Sequence, residues 1–101
     1  SERITREVLE KRLRVLGPEH WETGASHNHL ASLLQKRNDF AAAHEHLVRA
    51  VACARASFEG DHWIIGAFLN NLGRCETNLA RYDEAERSLL EAHAVLEKVL
   101  P

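Results

Sequence analysis

Seven histidines are the residues of this 101-residue chain best suited to hold a metal ion. A zinc site on one helix favours histidines three or four residues apart. His27 and His29 are two residues apart, as are His44 and His46, so each pair diverges by about 200° around a helix. Ligands could still converge from different helices. The spacing predicts polar histidines on helix surfaces rather than a metal centre, and no cofactor is expected.

Side chains capable of nucleophilic catalysis are also present, but they lack a recognisable setting. The sequence contains no nucleophile elbow and no glycine-rich phosphate loop. The acidic stretch DEAERSLLE at 83–91 is typical of the solvated start of a helix. We therefore expect no enzymatic activity from these residues.

The composition is that of one soluble globular domain, with 45% apolar and 28% charged residues. The formal net charge of -2 and the scattered arginines argue against a nucleic-acid-binding protein. No apolar stretch approaches the roughly 20 residues of a membrane span. The charged N-terminal sequence SERITREVLEKR is unlike a signal peptide. A cytoplasmic protein is expected.

Two further observations concern single residue types. Cys53 and Cys75 lie in apolar surroundings without CxxC spacing, which predicts reduced, buried thiols. Methionine is absent, so Ser1 is not an unprocessed translation start. We expect the chain to be a fragment of a longer array.

An internal repeat organises the chain. LGPEHWETG at 16–24 returns as FEGDHWIIG at 58–66, and a shift of 42 residues carries His20 onto His62. The same shift aligns residues of like size and polarity over most of the sequence, including Asn28 with Asn70, Phe40 with Tyr82 and Leu47 with Leu89. A fixed period of this length is the signature of a repeat architecture.

Each repeat reads as two helices with apolar stripes of helical period. Residues 1–16 are predicted to be the final helix of a preceding unit, 24–58 a first helical pair and 66–100 a second. Very short connections make the helices of a pair antiparallel neighbours. Asp39 is a plausible N-cap of the second helix of its pair.

Particular residues are predicted to pack the pairs together. Small residues should allow close helix crossings, namely Ala31 with Ala43 and Gly73 with Ala85, while Phe40 and Tyr82 should fill the seam beside each turn. The repeated loop should end one helix at its glycine and cap the next with its acid or histidine. Trp21 and Trp63 should cover the step between repeats, with ligand anchoring as the alternative.

The sequence resembles the tetratricopeptide repeat family, in the long-repeat variety of kinesin light chains. The resemblance rests on NHLASLL with DFAAAHEHLVRAV, on NNLGRCE with RYDEAERSLLEAH, and on the LGPEHW type of loop. It implies an all-α fold in which antiparallel helix-turn-helix repeats, about five helices in all, stack as a right-handed α-solenoid. It also implies a concave groove lined by the first helix of each pair.

By this resemblance, the groove is lined by a polar and mildly basic set of residues: Asn28, His29, Ser32, Gln35, Lys36, Asn70, Asn71, Arg74, Thr77 and Asn78. Asparagine amides can donate to and accept from a peptide backbone, and Lys36 and Arg74 can pair with carboxylates. The predicted function is a protein interaction scaffold that binds a peptide segment with an acidic group. Homo-oligomerisation through the terminal helices, or a regulatory role within a larger signalling protein, are the alternatives.

Overall fold

The computed structural model describes residues 1–101 and contains five helices and no strand. The helices are α1 (Glu2–Val15), α2 (Trp21–Lys36), α3 (Phe40–Ser57), α4 (Trp63–Asn78) and α5 (Tyr82–Val99). They include 81% of the residues. None of them is both long and apolar enough to cross a membrane.

The helices form two antiparallel pairs, preceded by a single helix. α2 packs most extensively on α3 and α4 on α5, whereas α1 against α2 and α3 against α4 join these units in chain order. One continuous apolar core extends from Leu9 of α1, through the fully buried Leu30 and Leu47, to Val95 of α5. The predicted all-α repeat solenoid is therefore confirmed.

The loop prediction is confirmed for the residues that end and start helices. Gly17 and Gly60 have φ angles of 84° and 75°, a left-handed conformation that favours glycine after a helix. Nδ1 of His20 accepts a hydrogen bond from the Glu22 amide at 3.1 Å, and Nδ1 of His62 accepts one from the Ile64 amide at 3.1 Å. The histidines thus cap α2 and α4.

The starts of α2 and α4 differ from the prediction. Both helices begin at the tryptophan, three residues before Gly24 and Gly66. The histidine caps explain the early start, because each satisfies an amide of the first turn. The glycines lie inside the helices where neighbours approach closely: a Cβ at Gly24 would lie 2.9 Å from the Ala50 carbonyl oxygen, and one at Gly66 would lie 2.7 Å from Leu96 Cγ.

All four residues predicted to lie at close helix crossings are buried: Ala31, Ala43, Gly73 and Ala85. Phe40 is half-buried and packs against the core, as predicted.

Two aromatic predictions are wrong. Tyr82 is 66% exposed and does not fill the seam at its turn. Trp63 is 54% exposed, whereas Trp21 is half-buried and packs against the core. In the second loop His62 stacks on Phe58 with ring centroids 3.8 Å apart, so Phe58 supplies packing there that the sequence pattern assigned to the tryptophan.

Both cysteines are buried and free, as predicted. Cys53 donates a hydrogen bond to the Pro18 carbonyl oxygen, and Cys75 donates one to the Phe40 carbonyl oxygen. Burial raises the pKa of each thiol. The thiols are therefore protonated packing groups rather than nucleophiles.

Candidate functional site

Five of the predicted groove residues line one hollow of about 240 Å³ between α2 and α4. They are Ser32, Gln35, Asn71, Arg74 and Asn78, and no apolar residue joins them. Steps of three or four residues keep their side chains on one face of each helix. The hollow is therefore a polar surface recess formed jointly by the two repeats.

A side-chain hydrogen bond crosses between the two helices at this surface. Asn71 donates from Nδ2 to Oδ1 of Asn28 at 2.9 Å, and both residues are half-buried. Two hydroxyls bind their own helices instead: Ser32 donates to the Asn28 carbonyl oxygen and Thr77 to the Gly73 carbonyl oxygen. Asn71 keeps its carbonyl oxygen and a second amide hydrogen for a ligand.

The positive charges of this surface have no acidic partner within the chain. Arg74 and Lys36 are exposed, and neither takes part in any of the ion pairs of the structure. Some other surface arginines are paired, for example Arg37 with Glu2 at 2.5 Å. Arg74 is thus available to a carboxylate from outside the molecule.

The remaining predicted groove residues lie around this hollow or away from it. Lys36, Asn70 and Thr77 are exposed on the same two helices but do not line the recess. His29 is exposed and lines a different hollow of about 350 Å³, together with Ile4 and Val8 of α1.

The prediction of surface histidines is wrong for His27. This residue is 4% exposed, and its Nδ1 lies 3.0 Å from Nδ1 of His46 on α3. Burial lowers the pKa of His27 to about 4, and the positive charges of His46 and Arg49 act in the same direction. Burial also lowers the pKa of His46, and Arg49 and Arg6 add to the effect. The pair is therefore neutral in the folded protein near pH 7.

A second polar cluster was not predicted from the sequence. Glu76 is 4% exposed, and its Oε2 lies 3.1 Å from Nε2 of His44 on α3. Ser88 of α5 donates to Oε1 of Glu76 at 2.6 Å. The 42-residue shift places Leu34 at the position of Glu76, so an acid at an apolar register position was the available signal.

Comparison with known proteins agrees with this architecture. The sequence model of the tetratricopeptide repeat family matches residues 23–64 and 67–101. A search of curated proteins gave no match. Tetratricopeptide repeats form non-enzymatic scaffolds that generally mediate interactions between proteins. With both of its helical pairs matched, the chain belongs to the tetratricopeptide repeat family.

Proposed function

We propose that the surface formed by α2 and α4 binds an extended peptide segment of a partner protein through an acidic group. The observation that carries the proposal is Arg74, an unpaired and exposed guanidinium at a recess otherwise lined by amides and a hydroxyl. An unpaired guanidinium can form two parallel hydrogen bonds with a carboxylate. The neighbouring amides can meet the peptide backbone on either side of that group.

Charge and composition support a protein partner over a nucleic acid. The net charge of the chain is -2, and the free cations at the recess are few. The two free thiols fit a cytoplasmic protein, because disulfides are rare in that reducing compartment. The 42-residue period supports the long-repeat variety seen in kinesin light chains.

A binding experiment with defined peptides tests the proposal. An array of extended peptides is probed with the labelled protein, and each acidic peptide is paired with its Asn or Gln counterpart. We expect acidic members to bind and their uncharged counterparts to lose most of the signal. Peptides that bind equally well with and without the acid would contradict the proposed acidic preference.

Matched variants locate the binding surface. Arg74→Gln should weaken the selected peptide about tenfold or more, since a hydrogen bond to a charged group is worth about 1.5–3 kcal/mol. Arg87→Gln is the control, because Arg87 is also exposed and unpaired but lies on α5 outside the recess. Equal affinity of both variants would place the binding site elsewhere.

A second candidate function is self-association through α1. Apolar side chains on this helix and just beyond it are exposed, with Ile4 at 53% and Val15 at 72%. Burying such residues against a second copy would remove apolar surface from water. Sedimentation over a range of concentrations tests this candidate, and a protein that stays monomeric would contradict it.

A further inference from the structure

Three helices bring potential metal ligands together at the turn between α4 and α5. His44 of α3, Glu76 of α4 and Glu84 of α5 each present a ligand atom, and these atoms lie within 4.8 Å of one another. His44 and Glu76 are largely buried, with side chains 15% and 6% exposed, whereas Glu84 is exposed. The cluster therefore lies partly within the packed junction between the two repeats.

This cluster is separate from the proposed peptide-binding recess. Residues 74 and 78 differ by one helical turn and share a face of α4, whereas residue 76 is about 200° from residue 74. Glu76 accordingly faces α3 and α5 and bonds to His44 and Ser88. Ligands bound at the two places would not contact the same side chains.

The corresponding junction of the first repeat lacks this cluster. A shift of 42 residues places Leu34 at the position of Glu76, Ala42 at that of Glu84 and Glu2 at that of His44. Leu34 is buried in the apolar core. The first junction thus has a buried apolar side chain at the position where the second has a carboxylate. Replacing the apolar side chain with a carboxylate gives up hydrophobic stabilisation.

The distances suit a small divalent ion. Zinc binds histidine nitrogen and carboxylate oxygen at about 2.0–2.2 Å, so two of its ligands are at most about 4 Å apart. Nε2 of His44 and Oε2 of Glu76, 3.1 Å apart, already meet this limit. Glu84 can close the remaining distance by side-chain rotation because it is exposed in the first turn of α5.

The surrounding hydrogen bonds determine which groups must change on binding. Arg81 can only donate, and its Nη1 lies 3.4 Å from Nδ1 of His44. Nδ1 of His44 is therefore an acceptor, and its Nε2 carries the proton directed at Glu76. A metal at Nε2 requires that proton to leave, and a neutral ring then carries its proton on Nδ1, facing Arg81. Ser88 can keep its bond to Glu76 Oε1 and orient the carboxylate from the outer shell.

We infer that His44, Glu76 and Glu84 bind one divalent transition-metal ion that braces the junction between the two repeats. Zinc is the probe because one imidazole and two carboxylates are ligands that it accepts, with water in the fourth position. The ion would join α3 of the first pair to α4 and α5 of the second. Binding should therefore raise the thermal unfolding temperature.

The test is titration of the protein with zinc, followed by calorimetry and by thermal unfolding. We expect one equivalent to bind and the unfolding temperature to rise. Glu84→Gln should weaken this binding about 10–100-fold, the range that even outer-shell changes reach at zinc sites. Glu86→Gln is the matched control, because Glu86 is exposed on the same helix, and it should leave the affinity unchanged.

Two further variants test whether zinc binds at this cluster rather than at another histidine, and whether Arg81 acts on the bound ion. His93→Gln removes the exposed pair of His93 with Glu97, which are 3.0 Å apart, and should leave the binding intact. Arg81→Gln should tighten the binding, because the guanidinium opposes both the cation and the Nδ1 proton. Absence of saturable binding, or equal affinity in Glu84→Gln and Glu86→Gln, would overturn the inference.

Discussion

Asn71 of α4 donates a hydrogen bond to Asn28 of α2 across 2.9 Å, and this contact joins the two repeats at the edge of the polar recess. The two residues are not equivalent in the repeat, since the 42-residue shift pairs Asn71 with His29. The bond therefore depends on how the repeats stack. It holds Asn71 at the edge of the recess beside Arg74.

The hydrogen bond should couple Asn28 and Asn71 energetically. In a double-mutant cycle with Asn28→Ala and Asn71→Ala, the coupling in the free energy of unfolding should be about 0.5–1.5 kcal/mol. Urea unfolding measures it. A control cycle combines Asn28→Ala with Asn70→Ala, because Asn70 is exposed. Equal coupling in both cycles would show that the contact contributes nothing specific.

Gly73 should be intolerant of even one added methyl group. A Cβ at this position would lie 2.6 Å from Leu89 Cγ and 3.3 Å from the Leu89 backbone nitrogen. We expect Gly73→Ala to lower the free energy of unfolding by about 1–3 kcal/mol through overpacking. Helix propensity alone predicts the opposite, a gain of about 1 kcal/mol.

The Leu89→Ala background separates these two effects in denaturant unfolding. Removing the Leu89 side chain gives the new methyl group space, so Gly73→Ala should then cost much less or become stabilising. A stabilising effect of Gly73→Ala in the unmodified protein would refute the close crossing of α4 and α5.

Stability should fall on mild acidification because of His27. Its pKa is about 4 when folded, against 6.5 for an unperturbed histidine, so the unfolded state binds more protons between these values. The part of the unfolding free energy that depends on a neutral His27 is fully present above pH 6.5 and is lost as the pH falls through about 4. At 1.36 kcal/mol per pH unit, it amounts to at most about 3 kcal/mol.

The pH dependence can be assigned by substitution. Unfolding in urea at several pH values should give a flatter profile for His27→Gln than for the unmodified protein. His93→Gln should keep the original profile, because His93 is exposed on α5. An unchanged profile in His27→Gln would contradict a neutral, buried His27.

Most of the fold could be predicted from the sequence, because the 42-residue period lets the pattern of each helix be compared with that of its counterpart 42 residues away. Buried Ala31 and Gly73 could be assigned from size alone, whereas the recess residues Asn71, Arg74 and Asn78 were implied by the resemblance to tetratricopeptide repeats. Contacts across helices could not be predicted in this way. Whether His27 meets His46, or His44 meets Glu76, depends on the relative rotation of two helices and on side-chain rotamers, which a single-helix pattern does not contain.

The aromatic residues failed for a related reason. Phe40 and Tyr82 occupy the same register position, but Phe40 packs against the core and Tyr82 remains in solvent. A buried tyrosine needs a partner for its hydroxyl, and in this respect it is not equivalent to phenylalanine. Register equivalence therefore predicts the backbone position of a side chain better than its burial.

The most direct test of the proposed function is an NMR titration of the protein with an acidic peptide selected on the array. We predict saturable amide shifts centred on Gln35, Asn71, Arg74 and Asn78, and a weaker response at high salt because the charges are exposed. Shifts centred on the exposed apolar residues of α1, or no saturable change at all, would contradict peptide binding between α2 and α4.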